Sequence, residues 1–142
     1  MKLLRFKTLG KIKPGIIDKN NNIRDVSNII DDWVPNTLNE KIIDKIGSTK
    51  ESLLPLIEKD VHIAPCIGQV GKIICIGLNY YDHALEIGID PPSEPIIFMK
   101  ATSAINGPND NIVIPKNSKK TDWEAELGII IGKEAKYINK DS

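Results

Sequence analysis

Residues 121–133 read TDWEAELGIIIGK, and their alternation of apolar and charged side chains predicts a strand. Successive side chains of a strand point to opposite faces, so Trp123 and Leu127 would share an apolar face. The other face would carry Glu124 and Glu126, roughly 7 Å apart at the usual rise per residue. Like charges at that spacing repel one another unless water or a cation screens them. Two interpretations therefore stay open: a solvated face of an antiparallel sheet, or a site for a divalent cation.

The composition is that of an ordinary globular chain. The 142 residues include 19 basic and 19 acidic side chains, so the formal net charge is zero and gives no electrostatic basis for binding nucleic acid or an acidic membrane. No apolar run is long enough to span a membrane or to form a signal peptide, so we expect a cytoplasmic protein. Cys66 and Cys75 lack CxxC spacing, and we expect buried, reduced thiols.

The amino-terminal part predicts a small domain over residues 1–66. Short apolar runs alternate with turn signals at Gly10, at Pro14 with Gly15 and at residues 20–22, which predicts an antiparallel meander. Two segments with helical spacing of Leu and Ile follow, LNEKIIDKI (38–46) and STKESLLPLIEK (48–59), the second capped by Ser48 or Thr49. The segment HIAPCIGQVGK (62–72) reads as a connector.

The remainder, residues 67–142, predicts a mainly β domain. Its elements are a buried strand KIICIGLNY (72–80), a short helix in YYDHALEIG (80–88), a strand PIIFMK (95–100), a turn at residues 106–108, a strand NIVIP (111–115) and the acidic strand quoted above. The fold class that we predict for the chain is therefore α+β, with mainly antiparallel strands.

Two residues of the predicted short helix suggest proton chemistry. His83 and Glu86 are three positions apart, which places them on one face of a helical turn, where a carboxylate can orient an imidazole that activates water. The same spacing also occurs on solvated helices. Asp82 could cap the helix, and Lys100 could either serve a site or mark where its strand reaches water. His62 has no partner in view and receives no role.

Three motifs in order, KIICIGLNYYDHALE (72–86), EPIIFMKATSAINGPND (94–110) and TDWEAELGIIIGK, resemble the fumarylacetoacetate hydrolase family. The resemblance is nearest to the branch labelled ureidoglycolate lyase or 2,4-diketo-3-deoxy-sugar-acid hydrolase. It implies that Glu124 and Glu126 bind Mg²⁺ or Mn²⁺, that His83 and Glu86 activate water, and that Lys100 lies near the substrate. It also implies a barrel-like β roll as the catalytic domain, a small-molecule oxo-acid or ureidoglycolate-type substrate, and a homodimer for the full-length protein.

The sequence departs from the family pattern in one respect. Family members take a third metal carboxylate from a motif further along the chain, and neither that motif nor the rest of the catalytic domain is present. We therefore expect the amino-terminal portion of a divalent-metal-dependent hydrolase or lyase, with a truncated catalytic domain that is inactive alone. The alternative is a non-catalytic remnant or assembly module that lacks the third metal carboxylate.

Overall fold

The computed structural model describes residues 1–57 and 60–141. Strands dominate this part of the chain, and two short α-helices accompany them, so the predicted β-rich α+β class is confirmed. The chain divides into two compact units, Met1–Gly68 with Asn106–Ser142, and Gln69–Ile105. The domains 1–66 and 67–142 stay predictions. Among the described residues, no helix has the length and apolar character needed to cross a membrane.

The first unit is built on a five-stranded antiparallel sheet in the order β4-β3-β2-β1-β5. Its strands are β1 (Lys2–Thr8), β2 (Lys11–Ile17), β3 (Ile23–Asp25), β4 (Leu56–Ile57) and β5 (His62–Ala64). The predicted meander corresponds to β1, β2 and β3. Leu9 and Gly10 join the first two strands with φ values of 48° and 76°, and two positive φ values are what a two-residue hairpin turn of type I′ requires.

The turn between β2 and β3 is organised by the buried carboxylate of Asp18. One of its oxygens, Oδ1, accepts hydrogen bonds from the backbone N–H groups of Asn20 and Asn22, both at 2.9 Å. The other oxygen, Oδ2, accepts from Nε of Arg24 at 2.9 Å. The N–H of Asn22 and the Arg24 guanidinium favour the charged form, and they lower the pKa of Asp18 to about 2 despite its burial.

The predicted turn at Pro14 and Gly15 is wrong, because both residues lie inside β2. They pair with Arg5 and Leu4 of β1. The carbonyl of Pro14 accepts a hydrogen bond from the N–H of Val26 at 3.1 Å, just beyond the last pair of β2 with β3. In a strand the N and the C=O of one residue point the same way, so the missing N–H of Pro14 removes no hydrogen bond to β1.

One of the two predicted helices is confirmed. The first is α1 (Glu40–Ser48), and the side chain of Asn39 caps it by accepting a hydrogen bond from the N–H of Ile42 at 3.1 Å. The second is wrong: a 3-10 turn at Glu51–Leu53 is followed by β4. Pro55 explains the difference, since proline disrupts a helix interior. The end of that predicted helix, at residues 58 and 59, lies outside the described residues.

Hydrophobic clusters cover both faces of the sheet. Neighbouring residues Ile16 and Ile17 of β2 belong to different clusters, as the alternation of a strand requires. Helix α1 packs on one face, in the cluster of Ile16, Val26, Ile30, Trp33, Ile46 and Leu54. The other cluster is formed by Leu4, Phe6 and Ile23. The indole Nε1 of Trp33 donates a buried hydrogen bond of 2.9 Å to the carbonyl of Gly15, which ties the loop before α1 to the sheet.

A bidentate ion pair connects β1 to the same loop. Arg5 donates from Nε and Nη2 to the two carboxylate oxygens of Asp32, each at 2.8 Å, and from Nη1 to the carbonyl of Pro65 at 3.1 Å. Gly68 lies against this pair, and its N–H donates to the carbonyl of Trp33 at 2.8 Å. The pair therefore joins segments that are far apart in sequence.

The second unit contains β6 (Ile73–Gly77), α2 (Tyr81–Glu86), β7 (Ile96–Lys100) and a 3-10 turn at Thr102–Ala104. The two strands pair antiparallel from Ile73 opposite Lys100 to Gly77 opposite Ile96. All three predicted elements of this region are confirmed in position. The expectation that the first of these strands is buried is wrong, because residues of β6 are half-buried or exposed. Those of β7 are exposed as well.

The strands predicted at 111–115 and 121–133 do not form. In the described part of the chain, residues 111–141 adopt no helix or strand. Trp123 and Leu127, the expected apolar face, are exposed along with Glu124 and Glu126. A strand is stabilised by pairing with a neighbour and by burial of one face, and alternation alone supplies neither. Among all the residues that the structure describes, the strands form no closed barrel. Cys66 is exposed, not buried, and both cysteines are free.

Candidate active site

The short helix α2 carries two of the candidate residues, and its end is well defined. Ile87 is the C-cap, and Gly88 adopts a φ of 71°, which glycine tolerates without a steric penalty. The N–H of Gly88 donates to the carbonyl of Leu85, and the N–H of Ile89 donates to the carbonyl of Ala84, each at 3.0 Å. This is the Schellman arrangement that stops a helix, so the sequence EIG at 86–88 fixes where α2 ends.

His83 and Glu86 both lie on α2, as the sequence predicts. The imidazole of His83 is half-buried and the carboxylate of Glu86 is exposed, while Ala84 between them is fully buried and anchors the helix. In the described part of the chain, no hydrogen bond or ion pair joins the two side chains. Their three-residue spacing leaves them neighbours on one helical face, within reach of a shared water molecule.

Asp82 acts within the first turn of α2 and not as its N-cap. The N-cap position belongs to Tyr80, and Oδ1 of Asp82 accepts a hydrogen bond of 3.1 Å from the backbone N–H of His83. A carboxylate in the first turn of a helix satisfies an otherwise free N–H group. The contact restrains the backbone of the residue that carries the candidate base.

Lys100 is the last residue of β7 and pairs with Ile73, the first residue of β6. Its side chain is exposed. The candidate residues 83, 86 and 100 therefore all belong to the compact unit Gln69–Ile105, although Lys100 is far from α2 in sequence. Two of them sit on one turn of helix, and the third ends the strand that pairs with β6.

Glu124 and Glu126 belong to the other unit, in the segment without helix or strand. Both are exposed, and Asp122 nearby accepts a hydrogen bond at 2.8 Å from the N–H of Trp123. In the part of the chain that the structure describes, no group of three or more His, Cys, Asp or Glu side chains comes together to hold a metal ion. Two carboxylates suit Mg²⁺ or Mn²⁺ by the chemistry of their oxygens, but they supply only part of the shell that such an ion takes.

His62 has a partner that its neighbours in sequence do not indicate. In the first unit, Nε2 of His62 on β5 lies 2.6 Å from Oδ1 of Asp110. The second oxygen of Asp110 accepts from the N–H of Gly107 at 3.0 Å, which closes the turn predicted at residues 106–108. No local sequence pattern predicts this pair, because the two residues are far apart in sequence and come into contact only when the turn packs beside β5.

A shallow cleft of about 450 Å³ lies in the first unit, and it is lined by Met1, Lys2, Ile16, Asp18, Ile46, Thr49 and their neighbours. None of the predicted site residues lines it. The carboxylate of Asp18, one of its charged lining residues, already accepts the hydrogen bonds of the β2–β3 turn. The cleft therefore belongs to the packing of α1 beside the sheet and is not a candidate for the chemistry indicated by the motifs.

Comparison with known proteins identifies the family. Residues 72–142, half of the chain, match the sequence model of the family described as "Fumarylacetoacetate (FAA) hydrolase C-terminal". The chain belongs to the fumarylacetoacetate hydrolase family. The matched stretch contains all five residues predicted for the site, so the family assignment and the candidate residues rest on the same part of the chain.

Similar proteins occur in Burkholderia. The chain is 47% identical over 140 residues to a protein of Burkholderia ambifaria strain AMMD named "Putative hydrolase", which covers 99% of this chain and 50% of that protein. It is 46% identical, with the same coverage, to proteins of Burkholderia multivorans and Burkholderia cenocepacia strain HI2424. The chain thus spans about half the length of the curated relatives that it matches.

Proposed function

We propose that the chain carries part of the active site of a divalent-metal-dependent hydrolase or lyase. Its substrate is a 2-oxo acid with a second carbonyl two carbons away, or a ureidoglycolate-type analogue. The nearest branch is the one labelled ureidoglycolate lyase or 2,4-diketo-3-deoxy-sugar-acid hydrolase. The observation that carries the proposal is the grouping of residues 83, 86 and 100 in one compact unit, inside the stretch that matches the family.

His83 is the proposed general base, and Glu86 is its positioning partner. An imidazole can take a proton from a water molecule, which then attacks the distal carbonyl of the substrate. The half-buried position of His83 restricts its motion, and the exposed carboxylate of Glu86 on the same helical face is free to hydrogen-bond the ring or the water.

Lys100 is the proposed source of fixed positive charge. Cleavage of the carbon–carbon bond leaves an enolate, which is the species that costs most to form. A cationic side chain near the developing charge stabilises it. The pairing of β7 with β6 holds the backbone of Lys100, so the charge projects from a fixed strand end.

Glu124 and Glu126 are the proposed ligands of Mg²⁺ or Mn²⁺, together with further oxygen ligands beyond this pair. When bound, such an ion would polarise the oxygens of the 2-oxo acid and offset negative charge. The two exposed carboxylates are open to an incoming ion. We also propose that the complete enzyme is a cytoplasmic homodimer whose catalytic domain closes into a barrel-like roll.

The test is a chimera in which this chain replaces the matching half of the Burkholderia ambifaria relative. We expect the chimera to consume an acylpyruvate, and the loss of the diketone absorbance measures this reaction. We expect a chelator to abolish it. Glu124→Gln and Glu126→Gln should weaken Mg²⁺ binding at least tenfold, whereas Glu134→Gln, an exposed carboxylate of the same segment, should not.

Two results would contradict the proposal. A chimera that folds and binds Mg²⁺ but leaves acylpyruvate and ureidoglycolate-type substrates untouched would refute the reaction. Strong, chelator-sensitive activity from the 142-residue chain alone would show that the site is complete without further ligands, and that its residues have been misplaced.

A further inference from the structure

The carboxyl-terminal segment of the first unit is packed most closely at its beginning. Within residues 106–141, all of which the structure describes, only Gly107 is buried and only Asp110 is half-buried. The remaining residues of that range are exposed, and residues 111–141 adopt no helix or strand. Strand pairing with the five-stranded sheet therefore does not attach this segment. Its buried part is the turn at residues 106–110, which we call the anchoring turn.

The carboxylate of Asp110 makes two contacts that hold the anchoring turn. Its Oδ1 lies 2.6 Å from Nε2 of His62 on β5, and its Oδ2 accepts a hydrogen bond of 3.0 Å from the backbone N–H of Gly107. An ionised carboxylate can only accept hydrogen bonds, so Nε2 of His62 carries the hydrogen in the first contact. The same side chain therefore closes the turn and attaches it to β5.

The backbone of the anchoring turn also approaches the backbone of β5. A Cβ built on Gly107 would lie 3.2 Å from the carbonyl oxygen of Ile63, and only 2.5 Å from Oδ2 of Asp110. A glycine at such a position permits the close approach of two backbones, which a larger residue would prevent. An added methyl group would have to displace the carboxylate that holds the turn. Gly107 is therefore required for the closed arrangement.

The two contacts of Asp110 are individually weak and depend on each other. The side chains of His62 and Asp110 are 45% and 34% exposed, so water screens their attraction. An exposed pair of this kind shifts an equilibrium by only about two- to fivefold. Because one carboxylate accepts both hydrogen bonds, a movement that breaks one contact also displaces the acceptor of the other. Few and partly exposed contacts are typical of segments that open locally.

We propose that the anchoring turn is a conformational device that alternates, as a whole, between a closed state on β5 and an open state. Opening breaks the contacts to His62 and Ile63 together. Residues 111–141 extend from the turn and include Glu124 and Glu126, so closure fixes the point from which this segment leaves the sheet. The proposal rests on contacts within the first unit, and it does not depend on the metal site or on the reaction.

Two other glycines of the same segment have more room. A Cβ built on Gly132 would lie 3.5 Å from the carbonyl oxygen of Leu38, which is an ordinary van der Waals distance, and nothing lies within 4 Å of a Cβ built on Gly128. Both glycines are exposed. An added methyl group would therefore disturb the segment at Gly107 and leave it undisturbed at Gly128, which makes Gly128 the matched control.

The experiment measures hydrogen exchange of the Asp110 amide by NMR in the 142-residue chain at a single pH. This N–H donates to the carbonyl of Gly107 at 3.2 Å, so its exchange rate reports opening of the turn. We expect His62→Leu to raise the rate about two- to fivefold. Gly107→Ala should raise it about tenfold or more, because the closed state no longer fits. Gly128→Ala should change the rate less than about twofold, since its methyl group meets nothing.

Two further measurements test whether the turn opens as a whole. The double variant His62→Leu with Gly107→Ala should exchange no faster at Asp110 than Gly107→Ala alone, because the contact to His62 is already lost. His62→Gln keeps an N–H donor and should stay closer to the wild type than His62→Leu. In Gly107→Ala, nitrogen-15 relaxation should show larger backbone motion at residues 111–115 on the picosecond to nanosecond timescale.

Several outcomes would overturn the proposal. One is an unchanged exchange rate at Asp110 in both single variants, and another is an equal effect of Gly107→Ala and Gly128→Ala. Independent, multiplying effects in the double variant would show that the two contacts open separately. Amides of β1 and β2 that exchange faster by the same factor as Asp110 would show destabilisation of the whole unit in place of a local opening.

Discussion

Replacing Gly68 by alanine should destabilise the first unit, because the new methyl group has no room. A Cβ at this position would lie 2.8 Å from Nη2 of Arg5 and 3.1 Å from Oδ2 of Asp32. The guanidinium cannot easily move away, since Asp32 holds it with two hydrogen bonds of 2.8 Å and the carbonyl of Pro65 accepts a third. Arg5 is also buried.

The expected loss is about 2 kcal/mol of the free energy of unfolding. Forcing a methyl group into a packed site costs about 1–3 kcal/mol. Breaking a fully buried ion pair would cost about 3–5 kcal/mol. Asp32 is partly exposed, so this value is an upper limit for the loss caused by disrupting its pair with Arg5. With a urea dependence of about 1–3 kcal/mol per molar, the unfolding midpoint should fall by about 1 M. Trp33 is 1% exposed and Trp123 is 82% exposed, so the fluorescence change reports chiefly on Trp33.

The control is the same substitution at Gly47. This residue lies in α1, and nothing lies within 4 Å of a Cβ built there. Gly47→Ala should raise the free energy of unfolding by about 0.5–1 kcal/mol, because alanine is the better helix former. In an Arg5→Met background, the cost of Gly68→Ala should shrink. An unfolding midpoint for Gly68→Ala equal to that of the wild type would refute the steric argument.

Three other expectations concern acid stability, a buried hydrogen bond and the proposed base. The pKa of Asp18 is about 2 in the folded chain against 3.8 ordinarily. The stabilising effect of the charged carboxylate is therefore complete above about pH 4 and disappears as the pH falls to about 2. Asp18→Asn should make the free energy of unfolding, measured by urea, depend less on pH between these values, and an unchanged dependence would contradict this expectation. Trp33→Phe should lower the free energy of unfolding by about 1–3 kcal/mol, because the carbonyl of Gly15 loses its buried donor. Circular dichroism during urea unfolding measures this loss, and an unchanged free energy of unfolding would exclude an energetic role for the hydrogen bond. In the chimera, His83→Ala should lower kcat at least about 100-fold with Mg²⁺ affinity unchanged; normal turnover would remove His83 from the mechanism.

Local signals correctly placed the elements that carry the candidate dyad. The glycine at position 88, the apolar run of β6 and the helical spacing of residues 83 and 86 act within a few positions of one another. Gly10 fixed its hairpin turn in the same way. These features depend on φ preferences and side-chain periodicity, which neighbouring residues determine, so the sequence alone sufficed to place β6 and α2. The catalytic roles of residues 83 and 86 stay predictions.

Other features were decided only by the tertiary structure. Pro14 continues a strand because its nitrogen faces the side where β3 has ended. His62 contacts the carboxylate of Asp110 because a turn distant in sequence packs beside β5. The alternation at 121–133 forms no strand, although its pattern is regular. A pattern states which side chains can share a face, but hydrogen-bonded neighbours and a buried face decide whether a strand exists, and both come from residues far away in sequence.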